Sequence, residues 1–393
     1  MTRSRKIIFP LEFIFTDRDY SRLGIELLEC RGLRVEVWDF SPLFKPVYFR
    51  NNQQLTSKSI ITIKEIHTKK QAYSLLSKLH DDDVVMSISS ISSDNYFFYK
   101  EINKRKIFLG FFQGAFLPQL SNEKFFFESI VFNLNHRLIG KAFHKINSNL
   151  KNYFQSKIEA DFIVTIGLKH QKEASNIFHI SDKYSLIKSH SLDFDKYLRS
   201  EQQKQKKIKN TIESEFIVFL DEAVTHHSDY DHSGTDPDCD EKFYYEEINN
   251  FFDQIEIEMG YEVVIAAHPK SEYKNKGDLF NNRKIIYGKT AELVSNSKLV
   301  LLHASTSVNF AIIYRKPLIY LTSLSYSSEF RRKINLRASK LNLTPITLPL
   351  NEKESINYSS NFEKYEDYFK SYIKYPGSSN KLFWDTVCDY LDK

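Results

Sequence analysis

Short apolar runs alternate with amphipathic helical patterns along most of this 393-residue chain. The runs VVIAA at 263–267 and KLVLLH at 298–303 have the composition of strands that are buried on both faces. The second run leads directly into a helical pattern that opens at Ser305, Thr306 and Ser307. Parallel strands are joined by long crossovers, which are usually helices. The alternation therefore predicts an α/β fold in which helices cover both faces of parallel sheets.

The alternation of strands and helices occurs in two separate parts of the chain. Two domains are expected from the chain length as well, because 393 residues are more than one hydrophobic core usually contains. The first part opens with a strand pattern at 6–16, and we expect a strand at 161–168 to close its sheet. The second part restarts with a strand at 215–220. The predicted divisions are a Rossmann-like domain at 1–200, a linker at 201–213, a second Rossmann-like domain at 214–350 and C-terminal helices at 351–393 that pack back across both domains. The lysine-rich run inside the linker also fits a solvated helix.

Composition argues against two common classes of protein. The chain has 55 Lys and Arg against 50 Asp and Glu, a net charge of +5, whereas nucleic-acid binding usually needs a clustered basic face. Only 11 glycines occur and no G-x-G-x-x-G motif is present, which disfavours nicotinamide and flavin enzymes. Gly288, Lys289 and Thr290 resemble the end of a P-loop, but Arg283 stands where its first glycine should be. Thr290 is instead predicted to cap a helix.

The cysteines and the N-terminus favour a cytoplasmic protein. Cys30, Cys239 and Cys388 lie far apart without a C-x-x-C pair, so neither a disulfide framework nor a cysteine-based zinc site is expected. The N-terminus is basic and then apolar, but Pro10 and Glu12 interrupt it, so we interpret it as a strand rather than a signal peptide. No apolar run reaches the roughly 18 residues of a membrane span.

A basic face on a predicted helix allows a peripheral contact with the inner face of the cytoplasmic membrane. Its residues are Arg331, Arg332, Lys333, Arg337 and Lys340. A solvated helix surface is the alternative interpretation of this pattern.

The first candidate for ligand binding is the segment from His303 to Ser307. Open α/β sheets bind ligands at the carboxyl ends of their strands, and a helix N-terminus attracts phosphate. Ser305, Thr306 and Ser307 add three hydroxyl groups at such a position, after the strand that ends at His303. The alternative is that these residues only cap the helix.

Two further candidates follow other predicted strands. His268 and Pro269 come after the strand at 263–267, and the proline restrains the backbone beside an imidazole that could donate a proton or hydrogen bond to a phosphate. Asp221 and Glu222 come after the strand at 215–220, where a carboxylate could remove a proton from a hydroxyl group. The alternatives are a structural histidine and a solvated acidic pair.

The loop DYDHSGTDPDCD at 229–240 is partly similar to a calcium-binding loop. Pro237 falls inside it and Asp240 occupies position twelve, where calcium loops have Glu. The nearby histidines would also permit a transition metal; they are His226, His227 and His232. We expect no bound metal here, and a mobile loop on the acceptor side that includes His226 and Asp229.

Three short motifs together resemble those of the GT-B glycosyltransferases, and most closely of the inverting bacterial sialyltransferases that use CMP-activated nonulosonic acids. The motifs are an acidic pair followed by Gly, a His-Pro pair and a Ser-Ser or Ser-Thr pair. Here they correspond to Asp221-Glu222-Ala223, His268-Pro269 and Ser305-Thr306, within residues 215–321. Ala223 departs from the expected Gly. Phe310-Ala311 stands where many retaining GT-B enzymes have Glu-Ala, which disfavours a retaining mechanism.

The resemblance implies two tandem Rossmann-like domains of the GT-B type with a cleft between them. It implies that Asp221 or Glu222 is the general base, that His268 holds or protonates the CMP phosphate, and that Ser305 and Thr306 bind this phosphate. Gln113 and Gly114 would then lie on the acceptor side.

The implied reaction is inverting transfer of a nonulosonic acid (sialic, pseudaminic or legionaminic type) or Kdo from a CMP-sugar donor to a bacterial surface glycan or lipid-linked glycan. No metal or other cofactor is expected, and nucleic acid is not an expected partner. A UDP-sugar transferase or nucleotide-sugar 2-epimerase of the same fold remains one alternative. A non-catalytic glycan-assembly protein is another.

Overall fold

A computed structural model describes most of the chain. It covers residues 4–53, 56, 57, 61–119, 157–206, 215–225, 236–269, 271, 273, 276–350, 356 and 361–393. These residues form two compact units. The described residues up to Phe116, between 157 and Leu192 and from Lys374 onward form unit 1. Unit 2 contains the short stretch 117–119 and the described residues from Asp193 to Ile373.

Unit 1 is organised around a seven-stranded parallel sheet with the order β3-β2-β1-β4-β5-β6-β7. Its strands are β1 (Lys6–Leu11), β2 (Arg34–Asp39), β3 (Thr62–Glu65), β4 (Val84–Ser87), β5 (Phe108–Phe112), β6 (Phe162–Thr165) and β7 (Ser185–Lys188). The accompanying helices are α1 (Asp17–Arg22), α2 (Ile25–Cys30), α3 (Ser41–Phe44), α4 (Pro46–Asn52), α5 (Lys69–Leu76), α6 (Tyr96–Arg105) and α7 (Leu168–Phe178). The N-terminal apolar run is thus a strand, as predicted, and lies between β2 and β4.

The prediction that the strand at 161–168 closes this sheet is wrong. That strand is β6, and β7 pairs with it on the outer side. Of the four residues of β7, only Ile187 is buried. Such a short and largely accessible edge strand lacks the apolar run by which buried strands are recognised in a sequence.

Unit 2 contains a six-stranded parallel sheet with the order β10-β9-β8-β11-β12-β13. Its strands are β8 (Phe216–Leu220), β9 (Glu262–Ala267), β10 (Ile285–Tyr287), β11 (Leu299–Leu302), β12 (Leu318–Ser323) and β13 (Ile346–Leu348). Its helices are α8 (Leu192–Lys206), α9 (Glu241–Met259), α10 (Thr290–Asn296), α11 (Val308–Ile313), α12 (Ser328–Ser339) and α13 (Phe362–Tyr368), which continues as a π-helical turn (Phe369–Ile373). This strand order is that of dinucleotide-binding Rossmann folds, which bind ligands where the order reverses, here between β8 and β11.

The chain passes from unit 1 to unit 2 at Leu192 and Asp193, at the start of α8, rather than at residue 200. Residues 201–206 of the predicted linker belong to α8, so the helical interpretation of this stretch is confirmed for them. The rest of the predicted linker, 207–213, lies outside the described residues.

The last helix, α14 (Phe383–Leu391), belongs to unit 1, whereas α13 belongs to unit 2. The C-terminal segment therefore contributes to both units. Trp384 anchors α14: its indole N–H donates to the carbonyl of Arg22 over 3.0 Å, and its ring contacts those of Phe9 and Phe112 edge-on. A Cβ atom at Gly24 would lie 2.1 Å from the Trp384 ring, so only glycine allows this close packing.

Among the described residues, no helix combines the length and the apolar character that crossing a bilayer requires.

We predict that Trp384→Ala lowers the free energy of unfolding of unit 1 by about 3–5 kcal/mol, because it removes a buried ring and leaves a cavity. Val47→Ala is a matched control, since Val47 is 60% exposed, and should change stability by less than about 0.5 kcal/mol. Urea unfolding of both variants measures the difference. Equal stability of the two variants would show that α14 does not support the unit 1 core.

Candidate active site

Three adjacent strands bring the predicted motifs together at one edge of the unit 2 sheet. Strand β8 lies between β9 and β11, and the last residue of β8, Leu220, is in register with Ala266 and Leu302. Because all three strands run in the same direction, the residues that follow them emerge at the same edge. The acidic pair, the His-Pro pair and the Ser-Thr pair therefore share one edge, as the sequence predicted.

Asp221 holds the ends of β8 and β9 together. Its carboxyl group accepts hydrogen bonds from the backbone N–H of His268 at 3.0 Å, the hydroxyl of Tyr273 at 2.8 Å and the backbone N–H of Ala223 at 2.9 Å. The side chain is only 3% exposed. Burial raises the pKa of Asp221, and these hydrogen bonds oppose the rise. A carboxylate engaged in this way stabilises the fold and is poorly placed to accept a proton from a substrate.

Ala223 adopts a left-handed backbone conformation, with φ of 51°. This conformation strains residues that carry a Cβ atom and is readily adopted by glycine. The turn after the acidic pair therefore has the geometry that a glycine would suit, although this chain has alanine.

Glu222 is the better candidate for a general base. It remains partly exposed, and its Oε2 atom accepts a hydrogen bond from the backbone N–H of Ala304 at 2.6 Å, which links β8 to the loop after β11. Burial of the carboxyl group raises the pKa of Glu222 to about 7, while the positive charge of Arg337 and the Ala304 N–H oppose the rise. A base whose pKa lies near the operating pH is best suited to proton transfer.

The neighbouring acids of Glu222 push its pKa in the same direction as burial does. The negative charges of Asp221 and Asp238 both raise it. Three donors bind the Asp221 carboxyl group, whereas the Glu222 carboxyl group accepts a hydrogen bond from the Ala304 N–H, so the two carboxylates have separate roles. A pair of acids whose environments differ in this way is typical of catalytic sites.

His268 and Pro269 both remain accessible at the end of β9: the histidine is partly exposed and the proline is exposed. The backbone of His268 is fixed from two sides, because its N–H donates to Asp221 and its carbonyl accepts the hydroxyl of Ser271 at 2.7 Å. An imidazole on so restrained a backbone can be aimed at a ligand.

His303 was expected to line the phosphate site, but it is a core residue. It is fully buried, its Nδ1 atom donates to the carbonyl of Leu321 over 2.8 Å, and its Nε2 atom accepts the hydroxyl of Tyr244 over 3.1 Å. The rings of Phe219, Tyr326 and Phe330 also pack against it. Burial lowers the pKa of His303 to about 4, so the ring is neutral and structural at pH 7.

The three hydroxyl residues before α11 differ from one another. Ser305 is buried, and its hydroxyl oxygen accepts the backbone N–H of Ser307 at 3.3 Å, so it shapes the turn. Thr306 is exposed and Ser307 partly exposed. Ser307 is the N-cap residue of α11, but its side chain makes no capping hydrogen bond. Thr306 is consequently the hydroxyl most accessible to a ligand.

The predicted acceptor-side residues are only partly described. Gln113 follows β5 in unit 1, and its buried Oε1 atom has no hydrogen-bond partner among the described residues. The carbonyl of Gly114 accepts the N–H of Leu192, and a Cβ atom at Gly114 would lie 2.7 Å from the Leu192 side chain, so this glycine serves packing. His226 and Asp229 lie outside the described residues. Within the described part of the chain, no cluster of His, Cys, Asp and Glu could hold a metal ion.

Sequence reasoning missed two residues that affect the acidic pair, one by a hydrogen bond and one by its charge. Tyr273 binds Asp221, but a tyrosine five positions after a histidine carries no recognisable signal. Arg337 was assigned to a basic surface, because helical spacing alone does not show that its charge acts on Glu222.

Comparison with known proteins shows that this chain resembles several solved structures in fold. No family model matches the chain, and no curated protein sequence matches it. The wall teichoic acid polymerase TagF, in a crystal soaked with CDPG, is 12% identical with a TM-score of 0.50 over 98% of this chain and 87% of that one.

Two further solved structures resemble the chain over similar lengths. UDP-GlcNAc 2-epimerase from Neisseria meningitidis, bound to UDP-GlcNAc, is 12% identical with a TM-score of 0.45 over 100% of both chains. MurG from Acinetobacter baumannii is 7% identical with a TM-score of 0.44 over 87% of this chain and 86% of that one. The two parallel sheets, together with the likeness in fold to TagF, confirm the predicted fold, with two Rossmann-like domains of the GT-B type.

We predict that Asp221→Ala destabilises unit 2 by about 3 kcal/mol or more, because three buried donors lose their acceptor. Asp221→Asn, which keeps one acceptor oxygen, should cost less. Asp367→Asn is the control, because the Asp367 side chain is 63% exposed. Thermal and urea unfolding measure these changes, and a stable Asp221→Ala variant would contradict the structural role of Asp221.

Proposed function

We propose that this protein is an inverting glycosyltransferase of the GT-B fold. The proposed donor is a CMP-activated nonulosonic acid or Kdo, and the proposed acceptor is a bacterial surface glycan, free or lipid-linked. The observation that carries the proposal is the pair of links among the three motifs: Asp221 to the backbone of His268, and Glu222 to the backbone of Ala304. These links join the candidate base to the segments expected to hold a nucleotide phosphate.

In the proposed reaction, the carboxylate of Glu222 accepts the proton of an acceptor hydroxyl group. The hydroxyl oxygen then attacks the anomeric carbon of the donor sugar from the face opposite the phosphate. The bond between that carbon and the phosphate oxygen breaks, and CMP leaves with the electron pair. One such displacement inverts the anomeric centre. The near-neutral pKa of Glu222 suits this task, because the group is largely deprotonated slightly above neutrality and still basic enough to react.

The phosphate of the donor would be held by His268 and by the hydroxyl and N–H groups of Ser305 and Thr306. Hydrogen-bond donors of this kind stabilise the charge that develops on a leaving phosphate. We expect that these groups suffice without a metal ion. Asp221 supports the arrangement by fixing the backbone of His268, so it is a positioning residue rather than the base.

We predict that CMP raises the melting temperature of the protein by several degrees at about 1 mM, since a ligand that binds only the folded state stabilises it. UDP, GDP and ADP at the same concentration should have smaller effects. A shift with UDP but none with CMP would select a UDP-sugar transferase or a nucleotide-sugar 2-epimerase instead. No shift with any nucleotide would favour a non-catalytic protein.

We further predict that Glu222→Gln lowers the transfer rate roughly 100-fold to 10,000-fold, the contribution of a general base. The variant removes the base while it keeps the shape of the side chain and one acceptor oxygen. Release of CMP in the presence of acceptor measures the rate. The control is Glu292→Gln, on the exposed side of α10, which should retain activity.

The pH dependence of the wild type provides a separate check. Because Glu222 must be deprotonated to act as a base, kcat/KM should fall as the pH drops below about 7, by about tenfold for each further pH unit. A rate that is constant between pH 5 and 8 would exclude Glu222 as the base. The residual activity of the Glu222→Gln variant should lack this decline.

A further inference from the structure

Helices α8 and α11 of unit 2 pack side by side, and the contacts between them follow one another along both helices. Hydrogen bonds, a cation–π contact and a ring contact join, in chain order, Asp193 to Asn309, Lys196 to Phe310, Tyr197 to Tyr314 and Ser200 to Tyr314. Because the residue numbers rise together on both sides, the two helices run in the same direction. The start of α8 therefore lies against the start of α11.

The contact between the two starts is a hydrogen bond from a buried amide to a carboxyl group. The Nδ2 atom of Asn309 donates to the Oδ2 atom of Asp193 over 2.9 Å, and Asn309 is 0% exposed. The Oδ1 atom of the same amide is also shielded from solvent and has no hydrogen-bond partner among the described residues. Because a buried amide is costly unless it is paired, the bond to Asp193 is what offsets the burial of this side chain.

Asn309 directly follows the turn that is proposed to hold a phosphate. Its backbone N–H donates to the carbonyl of Thr306 over 3.4 Å, and the N–H of Val308 donates to the carbonyl of Ser305 over 3.3 Å. Both distances exceed the usual range for N–H···O hydrogen bonds, so these backbone bonds hold the turn only weakly. The anchored side chain of Asn309 therefore contributes to the position of the turn, and Asp193 supplies the anchor.

We propose that Asp193 is a positioning residue for the phosphate of the nucleotide donor. It fixes Asn309 and thereby holds the hydroxyl and N–H groups of Ser305, Thr306 and Ser307 in the geometry that binds the phosphate. Asp193 acts through Asn309 and does not itself bind the phosphate, because two anionic groups in contact repel each other. The inference rests on the proposed function, because it assumes that this turn binds the donor.

The test first removes the hydrogen bond and then restores it in reverse. Asp193→Ala removes the acceptor, and Asn309→Asp places a second carboxyl group against Asp193. The double variant Asp193→Asn with Asn309→Asp has an amide and a carboxyl group again, with donor and acceptor exchanged. Titration calorimetry measures the affinity of each protein for CMP and for cytidine, with UDP and uridine as the second pair.

We expect Asp193→Ala and Asn309→Asp each to weaken nucleotide binding about tenfold or more, because a shifted turn misplaces several phosphate donors at once. The double variant should regain most of the affinity that Asn309→Asp loses. Cytidine and uridine lack the phosphate, so their affinity should stay unchanged. In transfer assays, Asp193→Ala should raise KM for the donor and leave KM for the acceptor unchanged.

Ser200→Ala is the matched control. Ser200 accepts a hydrogen bond from the hydroxyl of Tyr314 over 3.4 Å, at the far end of the same pair of helices. Its loss weakens the packing of α8 on α11 away from the turn, so nucleotide affinity should equal that of the wild type. Circular dichroism checks that each variant folds. Asp193→Leu, which also lacks an acceptor but fills more space, replaces Asp193→Ala if the latter does not fold.

The outcomes distinguish the two proposals. A wild type that binds neither CMP nor UDP overturns the proposed function. If the wild type binds a nucleotide, a folded Asp193→Ala or Asp193→Leu variant that keeps this affinity, or that loses nucleotide and nucleoside affinity equally, overturns the role of Asp193 alone. A double variant that binds the nucleotide no better than Asn309→Asp also overturns it, as does an equal loss in Ser200→Ala.

Discussion

The buried carboxyl group of Asp221 is the interaction on which the arrangement of the candidate site depends. It accepts hydrogen bonds from the backbone at the end of β9, from its own turn and from Tyr273. Each of these donors is removed from water and would lack a partner without it. The turn that Asp221 fixes also carries Glu222, which in turn binds the loop after β11. Two adjacent acidic residues thus connect three strand ends.

The two acidic residues at this edge differ in their hydrogen-bond partners. Asp221 is enclosed and supplied with hydrogen-bond donors, so its role is to hold the backbone. Glu222 is partly accessible and has a near-neutral pKa, because burial and two neighbouring acids outweigh the charge of Arg337. Burial also favours the neutral form of His303, whose pKa it lowers to about 4. Environment therefore distinguishes residues that a sequence motif treats alike.

Much of the fold could be predicted because its signals are local. The runs at β1, β8, β9 and β11 are apolar, and a helix follows β1, β8 and β11 as the next element of the chain. Such periodicity depends on neighbours in the sequence. The short edge strands β7 and β13 were missed because little of their surface is buried, and their pairing comes from the strands beside them. The end of α8, at residues 201–206, was assigned to a linker with a helix as the alternative, because a lysine-rich composition is common to linkers and to solvated helix surfaces.

For the site, the sequence by itself determined which residue types follow the central strands of unit 2, and the alternation of strands and helices requires those residues to meet at one edge. Only the tertiary structure decided their roles. It removed His303 from the site, assigned Asp221 to the backbone and left Glu222 accessible. It also brought the charge of Arg337, 115 positions further along the chain, within reach of Glu222. The physical reason is that burial, pKa and hydrogen-bond partners depend on contacts between distant segments, which no local pattern contains.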